Sequence, residues 1–267
     1  MATKTILITG ATDGIGRETA KALVADGHHV IAHGRSVAKL EALAAEVQVD
    51  VEVADLARFD EVEALAERVL ARGQLDVLIN NAGVFKMSSP RTESGMDARF
   101  VVNTLAPFVL TERLWSLLSP GGRVVNVSSA AQAPVNLDAL AGRAPLDDMA
   151  AYAQSKLAIT LWTRELARTR PDGPTLVSVN PGSYLASKMV KEAFGVAGHD
   201  LAIGVNALRR TALDEAVAAR SGAYFDNDAG RFAEPHEAAL DAAHASAVMA
   251  GIAAAIDAWR RASVASS

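Results

Sequence analysis

Two short stretches of this 267-residue chain carry the same chemistry. "YAQSK" runs from Tyr152 to Lys156 and "YLASK" from Tyr184 to Lys188, and each sets a phenol four residues before an ammonium. The chain holds three Tyr and seven Lys, so two such pairs exceed what chance placement supplies. Residues four apart share one helix face, a single turn from each other. A free phenol titrates near 10 and handles protons poorly at neutral pH. An ammonium ~4 Å away, at an effective dielectric of ~20, stabilises the phenolate by about 4 kcal/mol, roughly three pKa units. That brings a Tyr toward the range where general acid–base catalysis works best.

Such a pair needs a rigid support. Short apolar runs alternate with amphipathic stretches along the chain. Strands are expected at 5–9, 28–33, 49–53, 75–79, 122–127, 175–179 and 223–225. Helices are expected at about 16–26, 37–47, 60–72, 97–118, 150–170, 206–220 and 238–261. Near-continuous apolar strands suit a parallel sheet covered on both faces. The alternation predicts an α/β, doubly wound (Rossmann) sheet of about seven mostly parallel strands in one domain, 1–267. Two stretches break the rhythm, 130–148 and 183–205, and the second is expected to act as a substrate-loop lid. Both leave the carboxyl edge of the sheet, where ligands of such folds bind.

Composition narrows the function. A net charge of −5 offers no basic footprint for nucleic acid. There is no Cys, which removes disulfides, thiolate metal sites and a Cys nucleophile. The six His show no HExxH-like spacing; His29 and His33 fall in a strand, and no metal site is expected. The apolar run at the N-terminus is too short for a signal segment, and the Ala-rich 242–256 reads as a packed helix. A soluble cytoplasmic protein without a membrane partner is the expectation.

After the first strand comes "TGATDGIG", a tight turn opening a helix. Gly10, Gly14 and Gly16 let backbone approach a pyrophosphate, and the helix N-terminus adds N–H donors and partial positive charge. Thr12, Asp13 and Ile15 complete this candidate dinucleotide cradle, although the Asp13 carboxylate adds no attraction for phosphate. Sites for NAD(H) carry Asp or Glu about 20 residues further on to bind the ribose 2′-OH. Here Gly34 takes that place and Arg35 follows, which suits the 2′-phosphate of NADP(H). NADP(H) is the expected cofactor, with NAD(H) as the second choice.

Taken together, these features resemble the short-chain dehydrogenase/reductase family over nearly the full length. The glycine turn is similar to that family's TGxxxGxG. The resemblance implies that Asp55 and Leu56 of "ADL" border the adenine ring, and that Asn81, Ala82 and Gly83 of "NNAG" border the cofactor. It places a catalytic Asn at Asn103 and a catalytic Ser at Ser129, with Ser128 as the alternative. It assigns the Tyr–Lys pair to Tyr152 and Lys156, and brings Pro181 and Gly182 of "NPG" to the cofactor. Where the family often has a Thr after its Pro-Gly, this chain offers Ser183 and Ser187. The 23-residue Ser129–Tyr152 spacing and the "SGAYFDND" segment resemble the branch with retinol dehydrogenases and related lipophilic-carbonyl reductases.

The resemblance implies an NADP-dependent oxidoreductase moving a hydride to or from the carbonyl or alcohol carbon of a fairly apolar small molecule. Ser129 would bond the substrate oxygen, Tyr152 would move the proton, and Lys156 would also hold the nicotinamide ribose. Asn103 would hold a relay water. Position then separates the two pairs: Tyr152 follows the strand that delivers Ser129, whereas Tyr184 lies in the loop past Gly182. Tyr184, Leu185 and Met189 are candidate substrate contacts, and Leu137, Leu140, Leu146 and Phe194 are expected at an apolar mouth. A homodimer or homotetramer is expected through helices 97–118 and 150–170, using Ala151, Ala153, Leu157, Ile159 and Leu161. The alternative is a sensor or scaffold that binds the nucleotide structurally.

Overall fold

The computed structural model describes residues 2–118, 121–183, 185 and 198–265. Its eight-stranded sheet has the order β3-β2-β1-β4-β5-β6-β7-β8. The first seven strands are parallel: β1 Thr5–Ile8, β2 His29–Gly34, β3 Asp50–Val53, β4 Val77–Asn80, β5 Arg123–Val127, β6 Thr175–Asn180 and β7 Tyr224–Asp226. The last strand, β8 Arg231–Ala233, pairs antiparallel with β7. Three residues are too few for an alternating pattern to announce it.

Strand side chains divide between two cores. Leu7, Ile31, Leu78, Val124 and Leu176 face one. Ile6, Ile8, Val77, Val125 and Val177 face the other. Helices α1 Gly14–Ala25, α2 Val37–Glu46 and α8 Leu201–Leu213 cover the second face. On the first lie α3 Phe59–Leu70, α5 Ala106–Leu114, α7 Asp148–Thr169 and α9 Ala242–Ala265. Strand order reverses between β1 and β4, which opens the crevice where such sheets bind ligands.

The predicted 97–118 helix is not continuous. A short α4, Ala98–Phe100, widens into a π-type turn over Val101–Leu105 before α5 begins. Such widenings recur at functional sites, and this one carries Asn103. In the 130–148 stretch a one-turn helix, α6 Leu137–Leu140, is capped by the Asn136 side chain. Leu140 is fully buried and Leu137 half-exposed, and both lie under Gly251 of α9. Leu137 and Leu140, expected at an apolar mouth, therefore seat the last helix instead, and Leu146 packs against the core.

The same helix alters the expected assembly surface. Ala151, Ala153, Leu157, Ile159 and Leu161 of α7 are buried within the protomer itself. Helix α9 lies against α7, α3 and α6. Its Trp259 packs edge-on to Phe59, with centroids 5.2 Å apart. Helix α9 is also long and apolar enough to cross a membrane by length and composition, yet Val248, Ile252 and Trp259 are buried against the body.

Candidate active site

The start of α7 is fixed by its caps. Asp147 accepts the Ala150 N–H at 2.8 Å, and Asp148 adds negative charge to the first turn. Tyr152 and Lys156 follow on one face. The Lys156 ammonium is buried and donates to the Val127 carbonyl at the end of β5, 2.7 Å away. It lies 5.6 Å from the centroid of the Tyr152 ring. Phe85 meets that ring edge-on at 4.8 Å.

The two serines after β5 are separated by their partners. Ser128 is buried, donates to the Lys156 carbonyl at 3.0 Å and pairs with the Thr160 hydroxyl at 2.7 Å. Its hydroxyl is spent on the α7 backbone. Ser129 is half-buried; its hydroxyl accepts the Ala131 N–H at 3.1 Å and lies near enough to the Tyr152 phenol to act on its titration. Of the two candidates, Ser129 is the one that faces the phenol.

Protonation follows from burial. Desolvation lowers Lys156 to about 8, so the amine still carries charge at neutral pH. Desolvation also pushes the Tyr152 phenol above its ordinary value, and the Ser129 hydrogen bond works against that rise. The net direction is opposite to the depression expected from the ammonium alone, because removing a phenolate from water outweighs the protein's own stabilising groups.

Asn103 is fully buried. Its amide donates to the Val84 carbonyl and the Ser155 hydroxyl, both at 3.0 Å, and its carbonyl accepts from Val84 N at 2.8 Å. Ser155 in turn donates to the Tyr152 carbonyl at 2.7 Å. Asn103 thus braces both the segment after β4 and the turn that bears the tyrosine. A Cβ at Gly83 would stand 3.4 Å from Asn103 Oδ1 and 3.5 Å from Lys156 Nζ, in ordinary contact, so the backbone at 83 runs beside both groups.

Ser129, Tyr152 and Lys156 open into one cavity of about 590 Å³, which continues to the glycine turn, while Asn103 lies behind its lining. Asp13 caps α1 by accepting the Gly14 N–H at 2.9 Å. Gly10 and Gly14 have φ of 68° and 52°, the left-handed region that favours glycine. A Cβ at Gly16 would stand 2.2 Å from the Gly10 carbonyl oxygen, so only glycine lets α1 start this close to β1. The Asn81 amide donates to the carbonyls of Thr9 and Gly10 at 2.9 and 3.1 Å, tying the turn to the end of β4. Thr12, Ile15, Arg35, Asp55, Leu56, Ala82, Pro181, Gly182 and Leu185 also border the cavity. Tyr184, Ser187, Met189 and Phe194 lie outside the described residues, as does most of 183–205.

Several lining residues escape sequence reasoning. Phe85, Lys86 and Met87, just after "NNAG", border the cavity and take the place expected for the 130–148 leucines. Their signal is position alone: they leave the carboxyl edge of β4. Lys39 also lines the cavity beside Arg35 and bonds Asp13 at 2.9 Å. His33, read as an ordinary strand residue, is buried beneath the glycine turn and lines the cavity too. Its Nδ1 accepts the Gly10 N–H at 3.4 Å and its Nε2 lies 3.1 Å from the Ala54 carbonyl. Burial lowers its pKa to about 4. Ser183 points away from the cofactor role suggested for it: its hydroxyl and N–H both bond Asp228, at 2.5 and 2.9 Å.

An open crevice at the strand reversal, a glycine turn at a helix start and a Ser–Tyr–Lys cluster at its far end fit a dinucleotide and a small substrate side by side. Known proteins agree. Retinol dehydrogenase 12 of Bos taurus is 40% identical over 204 residues, covering 72% of this chain and 64% of that protein. This chain thus spans less than two thirds of that relative's length. A crystal structure of an uncharacterised Mycobacterium paratuberculosis protein superposes with TM-score 0.81 at 30% identity, covering 96% of this chain and 94% of that one. The landomycin C-6 ketoreductase LanV, solved with NADP and rabelomycin, gives TM-score 0.67 at 29% identity, covering 84% and 94%. Residues 4–195 match the short chain dehydrogenase family model, and the chain belongs to that family of oxidoreductases.

Proposed function

We propose that the protein is an NADPH-dependent reductase of a fairly apolar ketone or aldehyde. The observation that carries this is the convergence of Ser129, Tyr152 and Lys156 at one end of the cavity whose other end is the glycine turn. When bound, the reduced nicotinamide supplies the hydride. Tyr152 gives its phenolic proton to the carbonyl oxygen as the hydride reaches the carbon. Ser129 bonds that oxygen as negative charge builds on it. Lys156 would stabilise the phenolate left behind and hold the nicotinamide ribose, while Asn103, which braces the turn under Tyr152 through Ser155, would serve the proton relay through Lys156.

Arg35 and Lys39 at the adenosine end support NADP(H) over NAD(H). A carboxylate cannot enter at 34 without movement, since a Cβ there would lie 2.3 Å from Thr12 Cγ2. The apolar substrate class is supported by Phe85 against the Tyr152 ring, by Val84, Met87 and Leu185 in the cavity lining, and by the names of similar proteins, a retinol dehydrogenase and a landomycin C-6 ketoreductase. A soluble, cytoplasmic enzyme is part of the proposal, and cell fractionation tests it. Assembly as a homodimer or homotetramer, tested by light scattering, would need a surface other than the buried face of α7.

The test is steady-state turnover of a carbonyl panel with NADPH and NADH. Turnover with NADPH that disappears in Tyr152→Phe supports the reading. Tight NADPH binding with no turnover of any carbonyl would favour a nucleotide-binding sensor or scaffold.

A further inference from the structure

The chain's third tyrosine has no role in this account, yet it touches the site. Tyr224 lies on β7, beyond the family-matched residues, and is 5% exposed. Its hydroxyl donates to the Ser129 carbonyl at 3.1 Å. The Gln132 side chain donates to the same oxygen at 2.9 Å, and its own carbonyl accepts the His236 N–H at 3.2 Å. The Ser129 peptide is therefore held by two donors from behind, while its hydroxyl faces Tyr152.

The residues after Tyr224 extend the grip. Asn227 donates to the Pro181 carbonyl at 2.9 Å. Asp228 accepts from Asn180 Nδ2, Ser183 N and Ser183 Oγ. One strand and its turn, 224–228, thereby secure both loops that bound the nicotinamide end of the cavity.

We propose that Tyr224 is a positioning residue: its hydroxyl sets Ser129 against Tyr152 and the substrate oxygen. Burial and the carboxylates of Asp226 and Asp228 push its own phenol well above the usual value, so it remains a donor through the working range. This rests on the reading of Ser129 as the group that bonds the substrate oxygen.

Three variants test it: Tyr224→Phe, Ser129→Ala and the double variant. Each is assayed with NADPH and the best-turned-over ketone of the panel, and by ultraviolet titration of the phenols without substrate. Tyr224→Phe is expected to lower kcat about tenfold, as small misplacements at a reacting centre do, with KM and NADPH affinity unchanged. In the Ser129→Ala background it should lower kcat no further, since positions that act through one group are non-additive. It should also raise the Tyr152 titration in the direction that Ser129→Ala does. A Tyr224→Phe loss of equal size in both backgrounds, or a Tyr152 titration left unmoved, would overturn the proposal. If Tyr224→Phe fails to fold, Gln132→Ala removes the companion donor and carries the same expectations at smaller size. Should Ser129→Ala retain full turnover, the reading of Ser129 fails, which is a different result from a silent Tyr224→Phe.

Discussion

Adjacent serines with different partners make the sharpest test of the site. Ser129→Ala removes a hydroxyl that faces Tyr152 and accepts the Ala131 N–H at 3.1 Å in a part-buried turn. Loss of one donor to a developing oxyanion costs about 10²–10³ in kcat. The fold should lose little, because the Ala131 N–H left behind is only part-buried. Ser128→Ala removes a buried hydroxyl that bonds the Lys156 carbonyl and Thr160. The Lys156 carbonyl keeps Thr160 Oγ1 as a donor at 2.9 Å, so no buried acceptor is orphaned. The net loss is then one ordinary hydrogen bond, about 1 kcal/mol. For a chain of this length that is a Tm fall of about 2–4 °C. Its kcat should stay within about threefold of wild type, because no group touching the reacting atoms is lost. Thermal melts and steady-state kinetics of both variants suffice. A Ser129→Ala enzyme that melts early but turns over normally, beside a Ser128→Ala enzyme that is stable and dead, would refute the assignment.

Three further outcomes are expected. Arg35→Ala should weaken NADPH binding about tenfold or more and leave NADH nearly unchanged, with the difference shrinking at high salt because the group is exposed; fluorescence titration measures both. Gly34→Asp, the usual route to NAD preference, should weaken both cofactors, since any Cβ at 34 strikes Thr12; improved NADH binding would contradict the geometry. His33 has a folded pKa near 4 against 6.5 unfolded, so the unfolded chain binds more protons between those values. Stability is fully present above about 6.5 and is lost as pH falls toward 4, by at most about 3 kcal/mol. His33→Asn should therefore show a flatter Tm profile than wild type across that window; parallel profiles would remove His33 as the cause.

Chemistry written into side-chain identity was legible in the sequence. Gly10, Gly16, Asn81, Tyr152 and Lys156 are required by type, and a type is visible without coordinates. The alternation of strands and helices also carried through, because burial on both sheet faces leaves near-continuous apolar runs. What could not be read was which apolar surface meets which. Leu140 shows that it is buried, yet not that α9 is its cover rather than a ligand. Phe85 is silent for the same reason: its role depends on the Tyr152 ring, 67 residues further along the chain. Tyr224 carries an identity suited to chemistry, but its partner is a backbone carbonyl, which leaves no mark in the sequence.

The two shifted groups are compatible with the proposed reduction. Reduction needs Tyr152 as an acid, so the phenol must be protonated at working pH, and burial ensures that. The ammonium that receives the resulting phenolate is charged below about 8 and loses its charge above it. The kcat/KM for NADPH reports groups of the free enzyme. It should be level toward neutrality and fall about tenfold per pH unit above about 8, with Lys156 as the titrating group. The fall should not come from Tyr152, which is pushed the other way. Lys156→Arg keeps a cation that does not titrate in this range. Whatever turnover that variant retains should lack the alkaline limb. A limb that stays near 8 in Lys156→Arg would assign it to another group and remove the charge on Lys156 from the proton-handling argument.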